Sequence, residues 1–421
     1  MEAFLRIWRI REIRESLLFV LLAVTIFRVV AHIPVPGIDT AGLSALLVGN
    51  QFLGLLNVFA GGTLLSFSVA ALGVAPYITA SIIFQLLGMI FPSVEEMQKE
   101  EQGRQKLNRW TRLATVPLAL LQAYAITKLI AQQGAQFGVT INLTGFEWVT
   151  ALVSMVAGTI FLMWLGELIT ERKVGNGLSI MIFAGIIAGL PNFIAQTAAT
   201  YTSGNLVNII LFIVLAIITV VGVVVITEGQ RNIPVQYARG ARLGASKVQS
   251  TLPIRVNMVG MIPIIFALSI VTLPPLFAQF FINARTTMVR DVATFVIQLF
   301  SDQTFYGVLY FALVVAFTFF YASIVFRPEQ IAENLQKQGG FVPGIRPGVQ
   351  TSQYFQWTMN RLLLTGASFL GIIAILPTIV QQITGNTNFV VGGSSVIIVV
   401  SVVIEIIKQV ESQLTMRNYD A

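Results

Sequence analysis

The sequence predicts an all-α protein that crosses a membrane ten times, in two inverted halves of five spans, with one short segment that enters the membrane and turns back. Three observations carry this expectation. Apolar residues make up 55% of the 421-residue chain and charged residues only 11%. Ten runs occur that are apolar enough, at about 20 residues each, to cross hydrocarbon. The basic residues between those runs fall almost entirely on alternate connections.

An ordinary soluble chain is about a quarter charged. A chain with 11% charge has too little polar surface to cover a water-soluble globule of this size. A soluble enzyme, a disordered chain and a secreted disulfide scaffold are therefore excluded. Cysteine is absent, which removes disulfides, thiolate catalysis and zinc–cysteine clusters. His32 is the sole histidine, so no multi-histidine metal site is expected.

The predicted spans are residues 17–33, 73–91, 113–131, 148–168, 178–194, 206–227, 256–280, 305–326, 362–380 and 394–407. The first is read as a retained span rather than a cleaved signal: Arg28 interrupts it, and Pro34-Val35-Pro36-Gly37 stands where small cleavage-site residues would be expected. With the amino terminus inside and strict alternation, all of the 26 Lys and Arg fall on the inner side except Arg28, Lys128, Arg285 and Arg290. Basic residues mark cytoplasmic loops, so both termini are expected in the cytoplasm. Five spans per half is an odd number, so the second half runs upside down relative to the first; if the halves are repeats, they are inverted repeats. Residues 17–196 form the first half, 197–205 a hinge rich in small and polar residues, and 206–421 the second half.

Residues 1–16 set Phe4, Leu5, Ile7 and Trp8 against Arg6, Arg9, Arg11 and Arg14. This pattern reads as a basic amphipathic helix on the inner surface, or else as a cytoplasmic tail. Residues 52–91 are apolar for too long for one span and too briefly for two. Gly61-Gly62 and then Gly73 with Pro76 interrupt them, and Asn57, Thr63, Ser66 and Ser68 add polarity. One reading is a half-inserted helix over about 57–68 that lines an outer cavity, because irregular backbone at membrane depth must be buried or face water. The other is a hairpin resting on the interface.

Two inner loops are long. Residues 228–255 carry five basic residues and one acid; residues 327–361 carry four and two. The second loop centres on Gly339-Gly340-Phe341-Val342-Pro343-Gly344-Ile345-Arg346-Pro347-Gly348, a turn-forming run that presents Arg346 to solvent. Such loops either dock a large partner, RNA phosphates or an acidic protein face, or only enforce topology, for which short turns would suffice.

Catalytic patterns are missing. No lysine follows a glycine, so there is no phosphate-binding loop. The aspartates, Asp39, Asp291, Asp302 and Asp420, all lie outside the spans. Glu167 and Glu405 sit toward inner span ends, with Glu167 either pairing with Arg172 or capping a helix end, and Glu147 lies at an outer end. Without a midplane carboxylate a proton pump is disfavoured, while a sodium-coupled symporter using carbonyl oxygens stays open.

The run 71–87 (ALGVAPYITASIIFQLL) resembles the span-two signature of the SecY family, the bacterial protein-conducting channel at the centre of the Sec translocon. Residues 164–172 (WLGELITER) followed by Gly175-Asn176-Gly177 resemble a second signature, and 341–348 (FVPGIRPG) the last large cytoplasmic loop. Val256-Asn257-Met258 and Gly392-Gly393-Ser394-Ser395 also fall in family order. The resemblance runs from about Leu17 to the carboxyl terminus.

This resemblance implies two pseudo-symmetric inverted halves around an hourglass pore, with a lateral gate between spans two and three and spans seven and eight. It implies a pore ring of Ile78, Ile82, Leu178, Ile182, Ile262, Ile265 and Ile398, with leucine at 178 where isoleucine is usual. It makes the irregular segment a plug, carried by Asn57, Gly61, Gly62, Thr63, Leu64, Leu65 and Ser66. Gln85 and Asn257 fall at the lateral gate, where hydrogen bonding would hold it shut. Arg346 is implied to meet the motor, and Arg239, Arg242 and Lys247 the ribosome or motor, although Arg239-Gly240-Ala241-Arg242 is less densely basic than in many relatives. The implied partners are SecE-like and SecG-like small membrane subunits, the SecA motor ATPase, the ribosome, unfolded secretory and membrane protein substrates and the lipid bilayer; no cofactor or metal is implied. The implied role is passage of unfolded polypeptides across the cytoplasmic membrane and sideways release of apolar helices, without enzymatic activity. The rival class is a secondary transporter of a small solute.

Overall fold

The computed structural model describes residues 10–36, 43, 46–47, 53, 56–57, 60–134, 144–199, 206–237, 250–282, 284–384 and 388–418. Each predicted span is represented by a helix. The first half contains α1 (Arg11–Val30), α2 (Ala75–Ile90), the short α3 (Pro92–Lys99), α4 (Glu101–Gly134), α5 (Gly145–Glu171) and α6 (Gly177–Ala199). The second contains α7 (Leu206–Glu228), α8 (Ile262–Ala278), α9 (Thr287–Ser301), α10 (Gln303–Val325), α11 (Pro328–Lys337), α12 (Val349–Thr384) and α13 (Asn388–Asn418). Among the described residues, α4, α5, α8, α10 and α12 are each long and apolar enough to cross a membrane on their own, and α2 is joined to α3 through a 118° bend. Pro92 opens α3 at that bend and cannot supply the amide that would continue α2.

Several boundaries differ from the sequence reading. Residues 11–16 continue directly into the first span, so the described part of the amino-terminal segment is not a separate surface helix; residues 1–9 lie outside the described residues. The seventh span begins at Ile262 rather than 256, because Gly260 takes φ +70 and Pro263 suits a first helical turn. Residues 197–199 of the expected hinge belong to α6, and 200–205 lie outside the described residues. The amphipathic α9, between α8 and α10, had not been expected.

The two long loops are structured. Gln230–Tyr237 (β1) pairs antiparallel with Ser250–Arg255 (β2), and its far end pairs with Gly340–Phe341 (β3), giving the order β2-β1-β3. Ile233 and Val235 alternate inward with Ile254 onto Ala332 and Leu335 of α11, Val342 and Phe355. The same alternation was present in the sequence, masked by Pro234 and Pro253, which weaken a strand reading. The sheet thus ties the loop between α7 and α8 to the loop between α10 and α12.

The turn between α5 and α6 shows why the second motif has its residue types. The Thr170 hydroxyl donates to the Gly166 carbonyl and accepts from the Gly177 amide, both at 2.9 Å. Asn176 caps α6, its Oδ1 accepting from Leu178 N at 3.0 Å. A Cβ on Gly177 would lie 1.9 Å from the Gly166 oxygen, so only glycine fits. From outside, Gln413 of α13 donates to the Lys173 carbonyl at 2.5 Å, and the Arg172 guanidinium lies 4.4 Å over the Phe19 ring of α1. Glu167 does not pair with Arg172; it accepts from Arg112 of α4 at 2.8 Å, which the packing of α4 on α5 brings within reach.

Gly177→Ala is expected to destabilise the protein by about 1–3 kcal/mol, the cost of overpacking a tight contact. Thermal unfolding of the purified variant in detergent checks this; an unchanged midpoint would refute the close-approach argument.

Candidate functional site

The seven candidate ring residues come from four helices: Ile78 and Ile82 from α2, Leu178 and Ile182 from α6, Ile262 and Ile265 from α8, and Ile398 from α13. All belong to or pack against one central apolar cluster. Ile78, Ile82, Ile182, Ile265 and Ile398 are buried, whereas Leu178 and Ile262, at the first turns of α6 and α8, are half-buried. Branched side chains from both halves of the chain therefore share one apolar cluster, together with Met181, Ile186 and Ile397.

The irregular segment departs from the expected short helix. Residue 57 is helical, but 60–74 run in turns, with Gly61 at φ +71 and Gly62 at φ +78. These angles leave the right-handed helical region. The segment's backbone is satisfied locally. Val35 N donates to Phe67 O at 3.0 Å and Val69 N to Ile33 O at 2.9 Å. The Thr63 hydroxyl lies 2.7 Å from the carbonyls of both Ala60 and Ala70, and the Ser66 hydroxyl donates to Ala31 O at 2.7 Å. Phe67 holds φ +38, a rare conformation for a bulky residue, with its side chain fully buried.

Gly61 lies directly against α6. A Cβ on Gly185 would come within 2.1 Å of the Gly61 Cα, and one on Gly61 within 3.0 Å of the Phe27 ring. Backbone meets backbone there, and Gly185 had not been singled out in the sequence because glycines are frequent in membrane helices. Leu64 and Thr63 are buried, Gly62 and Ser66 half-buried, and Leu65 exposed. The Asn57 side-chain oxygen is buried without a protein hydrogen-bond partner. Beneath the segment lies a cavity of about 20 Å³ between α2, α4 and α8, lined by Leu64, Thr79, Gln122, Ser269 and Thr272 among others. Its size and polarity suit about one water molecule.

Gln85 is bonded across helices. Its carbonyl oxygen accepts from the Tyr321 hydroxyl of α10, and its amide donates to Ser81 at 2.9 Å. The Tyr321 ring packs edge-on against Phe266 of α8, with centroids 5.1 Å apart. Asn257 behaves differently from expectation: its Oδ1 accepts from Gly260 N at 2.9 Å, capping the turn before α8. The partner of Gln85 on another helix is thus Tyr321, which no sequence signal marked among the nine tyrosines.

In the loop between α11 and α12, Arg346 is exposed between Gly344 (φ +82) and Gly348 (φ +99), and Thr351 donates to its carbonyl at 2.9 Å. On the adjoining α11, Lys337 lies 2.7 Å from Glu333. That hydrogen bond, and secondarily the ammonium charge, holds the Glu333 carboxyl below its ordinary value. Arg239, Arg242 and Lys247 lie outside the described residues. Among the described residues no three His, Asp or Glu side chains gather to hold a metal ion.

The family model described as SecY matches residues 68–407. The chain is 42% identical over 420 residues to the protein translocase subunit SecY of Escherichia coli strain K12, covering 97% of this chain and 94% of that one. A solved structure described as "The structure of a protein conducting channel" shares the fold with a TM-score of 0.64 at 18% identity, over 94% of this chain and 91% of that one. "Sec61 in the Canine ribosome-channel complex from the endoplasmic reticulum" does so with a TM-score of 0.62, also at 18% identity and over the same shares.

Gly185→Val is expected to push the 60–74 segment off α6. A cysteine at Thr63, buried in the parent, would then react with a water-soluble maleimide at least about tenfold faster, since local release of about 1.4 kcal/mol gives a factor of ten. Equal reactivity in both backgrounds would refute the docking contact.

Proposed function

The chain belongs to the SecY family, and from that membership we infer that it is the central channel subunit of a protein translocase in the cytoplasmic membrane. Unfolded secretory polypeptides pass along the axis between its halves. The single observation that carries this reading is the convergence of seven branched apolar side chains, from four helices of both halves, beside a non-helical segment packed onto the same centre.

The chemistry suits a polypeptide of any sequence. An apolar constriction excludes ions by dewetting. Isoleucine and leucine offer no hydrogen-bonding group, so a passing chain is sealed without being selected. The segment carrying Asn57, Gly61, Gly62, Thr63, Leu64, Leu65 and Ser66 closes the resting pore from the outer side. It is held by the Gly61–Gly185 contact, the Ser66 bond to Ala31, the backbone bonds of Val35 with Phe67 and of Val69 with Ile33, and the buried side chains of Leu64 and Phe67.

Sideways release uses the seam where α2 faces α8 and α10. There the Gln85–Tyr321 bond is the polar contact that opening must break, and Asn257 shapes the start of α8. Through such an opening a central Leu or Ile gains about 0.3–0.6 kcal/mol in lipid and a central Asp or Arg costs about 2.5–3.5 kcal/mol. Partitioning thus sorts membrane segments from secreted ones. The chain acts as a passive conduit rather than an enzyme, and a motor ATPase, a translating ribosome or the proton gradient supplies the energy.

Both termini lie in the cytoplasm, as the distribution of basic residues requires. The sheet and α11 then form the cytoplasmic face, with Arg346 toward the SecA-like motor and Arg239, Arg242 and Lys247 toward ribosome or motor. SecE-like and SecG-like subunits complete the complex.

The absence of native cysteine allows a direct test. A cysteine at Ile265 is expected to form a disulfide with a single-cysteine precursor stalled in oxidising vesicles, only when signal sequence, motor and ATP are all present. No adduct at Ile265, Ile78 or Ile182, with the precursor shown to be engaged, would favour a small-solute transporter. Arg346→Glu is expected to lower motor-driven export by at least about tenfold, the equivalent of about 1.4 kcal/mol of lost contact, while leaving complex assembly intact. Normal export in that variant would remove the role of Arg346.

A further inference from the structure

We propose that α9 is an interfacial helix whose exposed apolar stripe is seated in the outer-leaflet boundary of the bilayer, bracing the outer ends of α8 and α10. The inference rests on the reading of the chain as a membrane protein and is independent of the ring and gate assignments.

The 15 residues of α9, TMVRDVATFVIQLFS, divide into three faces. Ala293 is buried and Val296, Ile297 and Phe300 are half-buried, and this face meets α8 and α10, with Phe300 edge-on to Phe305 at 5.5 Å. Arg290, Asp291, Thr294, Gln298 and Ser301 form an exposed polar face. Between these two runs a stripe of Met288, Val292, Phe295 and Leu299, at helical spacings of four, three and four. Met288 is 75% exposed, Val292 56% and Phe295 62%. Core packing accounts for the first face and water for the second. Neither accounts for the third.

Chain connectivity says what covers the stripe. Asp302 alone separates Ser301 from the first residue of α10, and residues 282–286 join the end of the α8 segment to Thr287. Adjacent Cα atoms are only about 3.8 Å apart, so α9 cannot lift away from the level at which α8 and α10 leave the hydrocarbon. At 15 residues it is too short to span, and Arg290 and Asp291 forbid full insertion. A helix with one apolar arc and one polar face, held at that level, lies along the interface. The charges nearby, Arg285, Arg290, Asp291 and Asp302, cancel in number. Seating is therefore driven by the apolar stripe and does not require anionic lipid.

The test uses the full chain in its complex, in nanodiscs of phosphatidylcholine. Single cysteines replace Met288, Phe295, Thr294 or Gln298, all exposed, and carry an environment-sensitive fluorophore. A label at Ile217 of α7, an exposed residue well inside a span, serves as the reference. Lipid brominated near the headgroup end of its acyl chains is expected to quench labels at 288 and 295 at least about threefold more than those at 294 and 298, with aqueous iodide giving the reverse order. The order should not change when anionic lipid is added. Iodide quenching of the 288 and 295 labels, with Ile217 still quenched by lipid, would overturn the proposal. Shielding of those labels from both quenchers would also overturn it, in favour of a protein covering the stripe. Failure of lipid quenching at Ile217 would instead overturn the membrane reading itself.

Discussion

The constraint on which the rest of this structure depends is that hydrocarbon offers no hydrogen bonds to a peptide group. Each amide and carbonyl at membrane depth must find its partner within the protein. Regular helices meet this demand by themselves. The segment 60–74 cannot, and it survives because side chains and neighbouring backbone take over. Thr63, Ser66 and Ser68 bond to nearby carbonyls, while Val35 and Val69 exchange bonds with Phe67 and Ile33. A segment satisfied in this way is ordered without being locked into a helix.

Charges near the membrane ends are handled by pairing. Arg112 meets Glu167 at 2.8 Å, joining α4 to α5, and Lys408 meets Glu228 at 2.9 Å, joining α13 to α7. Lys408 also donates to the Thr227 carbonyl at 2.9 Å, at the end of α7 where unsatisfied carbonyls and the helix dipole favour a cation. These pairs clasp neighbouring helices near their ends. The central contacts are different in kind, being apolar packing with few directional bonds, which tolerates separation.

The seam between α2 and the α8–α10 pair follows the same logic. One side-chain bond, Gln85 to Tyr321, is set within aromatic and aliphatic packing by Phe266 and Phe317. A single directional contact fixes how the helices meet, and dispersion contacts surround it. The α9 stripe extends this dependence on lipid to the outer ends of the same two helices.

By itself the sequence determined the helical class, the ten crossings and the place of the irregular segment, because hydropathy, charge asymmetry and Gly/Pro breaks are local properties that the bilayer reads directly. It also displayed the Arg346 turn, since glycines at 344 and 348 set that geometry within a few residues. Contacts between distant residues were decided only in the tertiary structure. The pairing of Glu167 with Arg112 rather than Arg172, of Gln85 with Tyr321, and of Gly61 with Gly185 depends on which helices pack together, and isoleucine, tyrosine and glycine are too common in membrane helices to announce such partners. The small sheet was hidden for a related reason: its alternation is short, carries two prolines and is completed by a strand more than a hundred residues away. Hydropathy records which solvent a residue prefers, whereas packing alone records which neighbour it meets.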